Sequence, residues 1–519
     1  MIPFRAPLDD ILFTLKHVAG ADSLPEWDGE FLAEIASHFA AFAEAELAPL
    51  NGVGDRGGAR LENGRVRMPE GFREAYAAWR EQGWPGLGVP EEFGGQELGG
   101  LALAVTSEIF SGANHALQMV TGLVPGAART LLAFGTPGQQ RRNIPPLASG
   151  QWLSTMALTE PGAGSDLSRI RCRAERSGEG WTITGEKIFI SGGDQDLSDG
   201  ILHLVLARTS DDGLRGLSLF LCRSDRNDGS RNAVTVTRIE EKLGIHASPT
   251  CQLGFDAAEA ELIGAEGAGL KAMFTMMNHA RLDVALQGVA HAARATQIAR
   301  AYAAERVQGK GLTLDRHADV ARMLDEMDLL AMGGRGIAHL AQVALERGED
   351  RDLVELLTPV AKVFCSEAGT TAADHGIQVL GGYGYLEEYG MAQIWRDVRI
   401  CRIYEGANGI HSLALATRLA EIGAPLDALD RLCLEEAEVA GILDAWRGAR
   451  KTLAATTDPR PLAESFMQLT AEVLHQLVWA RIGRAAAEHP EPERLRRLAK
   501  RARLRQACKI VQFTAAAED

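Results

Sequence analysis

Four short segments carry residue types and spacings that suit chemistry. Thr159-Glu160-Pro161-Gly162-Ala163-Gly164-Ser165-Asp166 combines glycines, a proline and small side chains. Such a loop exposes backbone N–H groups and can close on a planar ring or an anion, although a plain turn has the same composition. Phe189-Ile190-Ser191-Gly192-Gly193 sets an aromatic ring and a hydroxyl near two glycines. The pair could face a ring system, or the Phe could simply fill a core. Gln378-Val379-Leu380-Gly381-Gly382-Tyr383-Gly384-Tyr385 is a further glycine-rich stretch. Last, Arg402-Ile403-Tyr404-Glu405-Gly406 ends on a carboxylate beside a glycine. That pairing is usually a loop charge, but a desolvated carboxylate with a raised pKa is a general base.

The elements that must position these segments fall into zones. Residues 1–153 read as helical, with amphipathic runs at Phe31 to Leu47, Met68 to Gln82, Leu101 to Ser111 and Val124 to Phe134. Pro69-Glu70 marks the expected start of the second run. The period changes over 154–263. Trp181 to Thr184 and Lys187 to Ser191 alternate around Gly185-Glu186, which predicts a hairpin, and Ile201 to Arg208, Leu217 to Cys222 and Ala233 to Ile239 predict further strands. This zone is expected to be a β-barrel-like domain. Long helices return over 264–424, at Leu282 to Gln308, Val320 to Glu346 and Val360 to Gln378, the pattern of a bundle. A helical extension covers 425–519, with a linker at Thr456 to Pro461 and a basic helix from Arg494 to Lys509. The fold class is therefore α+β and mainly helical. No GxGxxG follows a strand and no βαβ alternation occurs, which disfavours a Rossmann domain.

Bulk properties narrow the class. At 519 residues, several domains are expected, and 46% hydrophobic with 24% charged residues is a globular composition. The net charge of -15 argues against general affinity for nucleic acid or anionic lipid. The opening Met1-Ile2-Pro3-Phe4-Arg5 lacks a basic region followed by an apolar run, so no secretory signal and a cytoplasmic location are expected. The most apolar stretch, Leu101 to Phe110, is interrupted by Ser107 and Glu108 and is too short to span a membrane. Seven scattered cysteines without a CxxC pair point to buried thiols rather than to disulfides or a metal site.

Taken together and in this order, the four segments resemble the acyl-CoA dehydrogenase family over roughly residues 30–420. The resemblance implies an N-terminal helical domain, a central β domain and a C-terminal four-helix bundle, with FAD as cofactor and a homodimer or homotetramer as the assembly. It implies that Met156, Leu158, Thr159, Phe189 and Ser191 face the flavin. Gln378, Gly381 and Gly382 would approach the adenine half of FAD from a neighbouring subunit, with Arg306 on the pyrophosphate and Ala407 and Gly409 also beside FAD. Ser165, Asn278, Arg281 and Tyr404 would contact the acyl-CoA. Glu405 matches the base that removes the α-proton while a β-hydride passes to flavin N5, giving a trans-2-enoyl-CoA. An electron-transfer flavoprotein would be the acceptor.

Several positions depart from the family pattern. Met156 stands where an aromatic residue is common, Phe189 where Trp is common, and Asn278 where an acid is frequent. Ala407 and Gly409 replace hydroxyl and amide side chains, and the Arg306 segment is a residue shorter. Lys242 to Thr250, Met276 to Arg281 and the extension resemble a branch that includes 3-(methylthio)propanoyl-CoA dehydrogenases. Two other readings share these residues: an acyl-CoA oxidase, and a DNA-binding flavoprotein of the alkylation-response type, for which the basic helix Arg494 to Lys509 would be the contact surface.

Overall fold

The computed structural model describes residues 2–226, 228–434 and 436–518. The chain forms two compact units. One comprises Ala45–Leu103 and Ala113–Ala280; the other comprises Met1–Glu44, Ala104–Gly112 and Arg281–Asp519.

The first unit is built on a seven-stranded mixed sheet. Its strands are β1 (Trp152–Ala157), β2 (Arg173–Ser177), β3 (Gly180–Ser191), β4 (Gly200–Arg208), β5 (Leu217–Arg223), β6 (Val234–Ile239) and β7 (Thr250–Ile263). The spatial order is β1-β4-β2-β3-β7-β5, with β6 on β7 and a further β4–β5 pairing. This corrects the barrel-like expectation. The sheet is mixed and branched: β1 and β2 both run parallel to β4, and β7 takes β3, β5 and β6 as antiparallel partners. Periodicity reports which face of a strand is buried, but not its partner or its direction. All nine residues of β4 are buried, as expected of a strand covered on both faces. The core gathers Trp181, Ile183, Val205, Phe220 and Phe255, with Trp181 edge-on to Phe220 at 5.3 Å.

The hairpin expected at Gly185-Glu186 is absent. Gly180–Ser191 is one strand of 12 residues, paired with β2 and with β7, and its register shifts between Ile183 and Gly185 and again between Lys187 and Ile190. Gly185 is there for close approach. It has φ +143, and a Cβ on it would lie 2.8 Å from the Cα of Cys172. A glycine inside a strand marks a bulge or a tight neighbour as readily as a turn.

Helices flank the sheet strands in sequence. The run expected from Met68 begins at Phe72 instead, because Gly71 at φ +82 interrupts the backbone before it. Helix α1 (Gly100–Thr121) contains the expected Leu101 to Ser111 run and continues beyond it, with a break in helical geometry at Asn114. Among the described residues no single helix is long and apolar enough to cross a membrane.

The second unit is helical. Its long helices are α2 (Gly269–Glu305, which starts in the other unit), α3 (Ala318–Arg347) and α4 (Arg351–Leu380). Helix α2 stops at Glu305, short of Gln308, because Val307–Gln308 pairs with Leu312–Thr313 as a short ladder. Asp350 caps α4 by accepting from the Leu353 N–H at 3.0 Å. The short helix α5 (Asn408–Ala414) follows Glu405. In the extension come α6 (Ala440–Ala455), α7 (Ala463–Ala485) and α8 (Pro492–Ala502). The expected single basic helix is two: α8 ends at Ala502 and another begins at Gln506. Helix α7 is buried along most of its length and packs closely on α3; a Cβ at Gly336 would lie 2.4 Å from Val478.

Candidate active site

The helical unit presents one strained residue at the expected base. Glu405 has φ +54, the left-handed region that costs a non-glycine residue about 1–2 kcal/mol. Such strain persists only where the surroundings over-determine it, and it clusters at functional sites. Here the surroundings are explicit. The Glu405 carbonyl accepts from Arg281 Nε at 3.3 Å and from His411 Nε2 at 3.1 Å. His411 is buried, which pulls its imidazole down to about 4, so it is a neutral N–H donor. The next residue continues the turn: Gly406 has φ +91, and a Cβ there would meet His411 Nε2 at 2.9 Å. Only glycine satisfies both conditions.

The carboxylate itself is left reactive. Glu405 is half-buried as a residue, but its Oε2 is buried and makes no hydrogen bond among the described residues. Burial pushes the carboxyl up to about 7; Arg281 and Lys362 oppose the rise, and Asp283 adds to it. Asp283 belongs to a chain of side chains. Ser107 Oγ donates to Asp283, Gln287 Nε2 donates to Asp283 at 3.1 Å, and Tyr404 Oη donates to Gln287. Burial drives the Tyr404 hydroxyl well above its ordinary range, so it stays a neutral donor. Arg281 and Tyr404, expected near the substrate, therefore do lie at the Glu405 turn. Ala407 precedes α5, and Gly409 is exposed in its first turn.

A separate groove of the same unit holds other expected residues. Arg306, Gly381 and Gly382 line a cavity of about 460 Å³ together with Tyr302, Gln308 and Tyr383. The Arg306 guanidinium lies 5.5 Å from the centre of the Tyr383 ring, and a Cβ on Gly381 or Gly382 would meet open space. An exposed arginine beside bare, accessible backbone fits an anionic, flat group such as the nucleotide half of FAD. Gln378 is exposed in the last turn of α4, where its carbonyl accepts the Gly381 N–H.

In the β unit the residues of the Thr159 loop come together around a buried ion pair. Lys187, fully buried, donates to the Leu158 carbonyl at 2.8 Å and to Glu160 Oε1 at 2.8 Å. Glu160 in turn accepts from the Arg171 and Cys172 N–H groups at 2.7 and 3.0 Å. The Ile188 N–H bonds the Thr159 carbonyl at 2.8 Å, so Leu158 and Thr159 are fixed beside β3. Phe189 falls within the register shift with φ +59 and is 59% exposed, an aromatic ring held outward at a strained position. Thr159, Ser191 and Met156 are half-buried and Leu158 is buried. An outward ring next to a half-buried hydroxyl and a fixed loop fits one face of a flavin. Ser165 is exposed on the same loop, and Asn278 is exposed on α2.

Sequence reasoning missed Lys187, Lys362, Asp283, Gln287, Asn408 and His411. For Lys362 the apolar neighbours in Ala361-Lys362-Val363 were the available signal: a lysine on a buried face needs a partner.

Comparison with known proteins gives the family. Models of the acyl-CoA dehydrogenase N-terminal, middle and C-terminal domains match residues 30–151, 155–258 and 267–420. The chain belongs to the acyl-CoA dehydrogenase family and is an FAD-dependent enzyme of it. It is 40% identical over 446 residues to the 3-methylmercaptopropionyl-CoA dehydrogenase of Ruegeria pomeroyi, covering 80% of this chain and 76% of that one. The butyryl-CoA dehydrogenase structure from Megasphaera elsdenii superposes with a TM-score of 0.67 at 25% identity, over 76% of this chain and all of that one. An acyl-CoA dehydrogenase from Bacillus anthracis complexed with FAD shares the fold through the extension, with a TM-score of 0.78 at 22% identity over 98% of this chain and 92% of that one.

Proposed function

We propose that this enzyme removes the α-proton of an acyl-CoA thioester with Glu405, giving the trans-2-enoyl-CoA. One observation carries the reading: a buried carboxylate oxygen without a hydrogen bond among the described residues, on a strained residue, with its pKa raised to about 7. Such a group is a base matched to neutral pH. The thioester carbonyl is held by the Glu405 N–H, which offsets the enolate charge as it develops. The α C–H electron pair then forms the Cα=Cβ bond. Bound FAD supplies the hydride acceptor for the β-hydrogen and a ribityl hydroxyl for the carbonyl. Met156, Leu158, Thr159, Phe189 and Ser191 hold its ring system in this reading. Arg306, Gln378, Gly381 and Gly382, with Ala407 and Gly409, hold the remainder. Arg281 and Tyr404 orient the acyl end, and Ser165 and Asn278 the pantetheine.

The relative from Ruegeria pomeroyi supports a short acyl group of the 3-(methylthio)propanoyl kind. An electron-transfer flavoprotein is the acceptor in this reading. The division into zones at 153, 263 and 424 is part of the same proposal, and limited proteolysis tests it. Ion pairing within the chain weighs against the DNA-binding alternative. Arg494, Arg497, Arg501 and Arg505 are ion-paired to Asp10, Asp328, Asp325 and Glu326 of the same chain.

The test is an anaerobic titration with butyryl-, octanoyl- and 3-(methylthio)propanoyl-CoA, followed at the flavin absorption band. Wild type is expected to bleach, fastest with the short substrates. Glu405→Gln is expected to bleach roughly 10²- to 10⁴-fold more slowly, the usual worth of a general base. Equal rates would refute the assignment.

A further inference from the structure

The turn that carries Glu405 rests on a cation that the reaction above does not use. Lys362 lies in α4 and is fully buried. It has no carboxylate within ion-pair distance among the described residues. Its ammonium donates to the Gly406 carbonyl at 2.7 Å and to Asn408 Oδ1 at 2.8 Å. Asn408 is itself tied back to α4, its amide donating to Ser366 Oγ at 3.1 Å and to Glu367 Oε1 at 3.3 Å. The Glu405 and Gly406 carbonyls are thus both held, the first by Arg281 and His411 and the second by Lys362. Both residues have positive φ, and Glu405 leaves that region at no steric cost if the hold is released.

We propose that Lys362 is a positioning residue: by holding the Gly406 carbonyl and the Asn408 side chain, its ammonium keeps Glu405 in the left-handed conformation that presents both its carboxylate and its N–H to the thioester. The proposal rests on Glu405 being the base. A neutral side chain of the same length would take from the Gly406 carbonyl and from Asn408 Oδ1 the charged donor that ties them together, and the turn would relax to find others. The charge state has a consequence of its own. Burial pulls the ammonium down to about 8; Cys401, Glu405 and Glu367 facing it raise it, and Arg281 lowers it further. His411, which shares the turn, is neutral throughout this range. The hold weakens as pH rises through about 8, while Glu405 needs pH above about 7 to act.

The experiment is anaerobic stopped-flow reduction of the FAD-loaded enzyme from pH 6 to 9.5, with the acyl-CoA that bleaches wild type fastest. Wild type, Lys362→Met, Lys362→Arg and Glu405→Gln are compared at matched FAD content. Wild type should give a bell with limbs near 7 and 8. Lys362→Met should reduce roughly 100-fold more slowly, the scale of a misplaced catalytic group, and lose the alkaline limb. Lys362→Arg should recover most of the rate with the alkaline limb moved beyond the range. Melting supplies a readout without turnover. The folded protein releases the Lys362 proton near 8 and the unfolded chain near 10.5, so wild type should gain stability over Lys362→Met across that interval. A Lys362→Met enzyme with the wild-type rate and pH profile, while Glu405→Gln is slow, overturns the proposal and spares the base. A fast Glu405→Gln removes the base instead. If Lys362→Met does not fold, an alkaline limb that stays near 8 in Lys362→Arg overturns it.

Discussion

At Glu405 the protein accepts strain and desolvation together, and each has a measurable sign. The folded protein keeps a proton on this carboxyl up to about 7, whereas the free side chain releases it near 4.5. Folding is therefore opposed progressively between those values and fully above the upper one. Glu405→Gln removes that penalty. The variant should melt above wild type at pH 8 and lose the advantage near pH 4.5; an identical difference at both pH values would contradict the shift. Catalysis has the opposite dependence. The kcat/KM of wild type should rise about tenfold per pH unit below 7, since only the ionised form takes a proton.

At the scale of elements, each unit uses the same device: a buried lysine bonded to a loop carbonyl. In the β unit Lys187 and Glu160 hold the Leu158 to Cys172 loop against β3. Breaking a buried pair from one side costs about 3–5 kcal/mol, because the remaining charge keeps its burial without its partner. Lys187→Met should therefore lower the urea midpoint of the β unit, read by tryptophan fluorescence, and reduce FAD retained on purification. Retention at the wild-type level would mean that the loop holds its shape by other contacts. In the helical unit Gly406→Ala meets His411 at 2.9 Å at a φ only glycine adopts freely. That variant should lose most flavin reduction with little change in melting.

For the molecule as a whole, the extension is part of the core rather than an appendage. Arg494 Nη2 donates to Asp10 at 3.0 Å and its Nε to Asp328 at 3.0 Å, while Asp10 also accepts from His489 at 3.1 Å. Arg335, fully buried on α3, donates to Glu108 at 2.8 Å. Helix α7 reaches the base side as well, with Ser412 of α5 donating to Glu464 at 3.2 Å and Gln468 to Glu367 at 2.7 Å. Arg494→Ala takes one partner from half-buried Asp10 and from buried Asp328, which keep His489 and Arg300, and should be seen as a lowered melting temperature without a change in the acyl-CoA preference. Deleting residues from 463 onward removes α7 and exposes the face of α3 that packs on it, and the product is expected to aggregate.

Much of the chemistry was legible because it resides in local residue identity. Glu405-Gly406, the Thr159 loop and Gly381-Gly382 are contiguous motifs, and strand and helix periods follow from which side chains face a core. The amino-acid sequence by itself determined the family, the cofactor and the helical and β zones. It did not determine the order of the strands, because alternation marks a buried face and carries no information about a partner; the barrel-like reading failed there, and the Gly185 hairpin with it. Nor did it determine the partners of Lys187, Lys362, Asp283 and Arg494. These residues meet their carbonyls and carboxylates across long sequence separations, and only tertiary packing decides whether a lysine is a solvated charge or a buried clamp. Tertiary structure also decided what suits Glu405 to the role proposed for it: the desolvation of its carboxylate and the left-handed turn that holds it are properties of the folded surroundings, not of the residue.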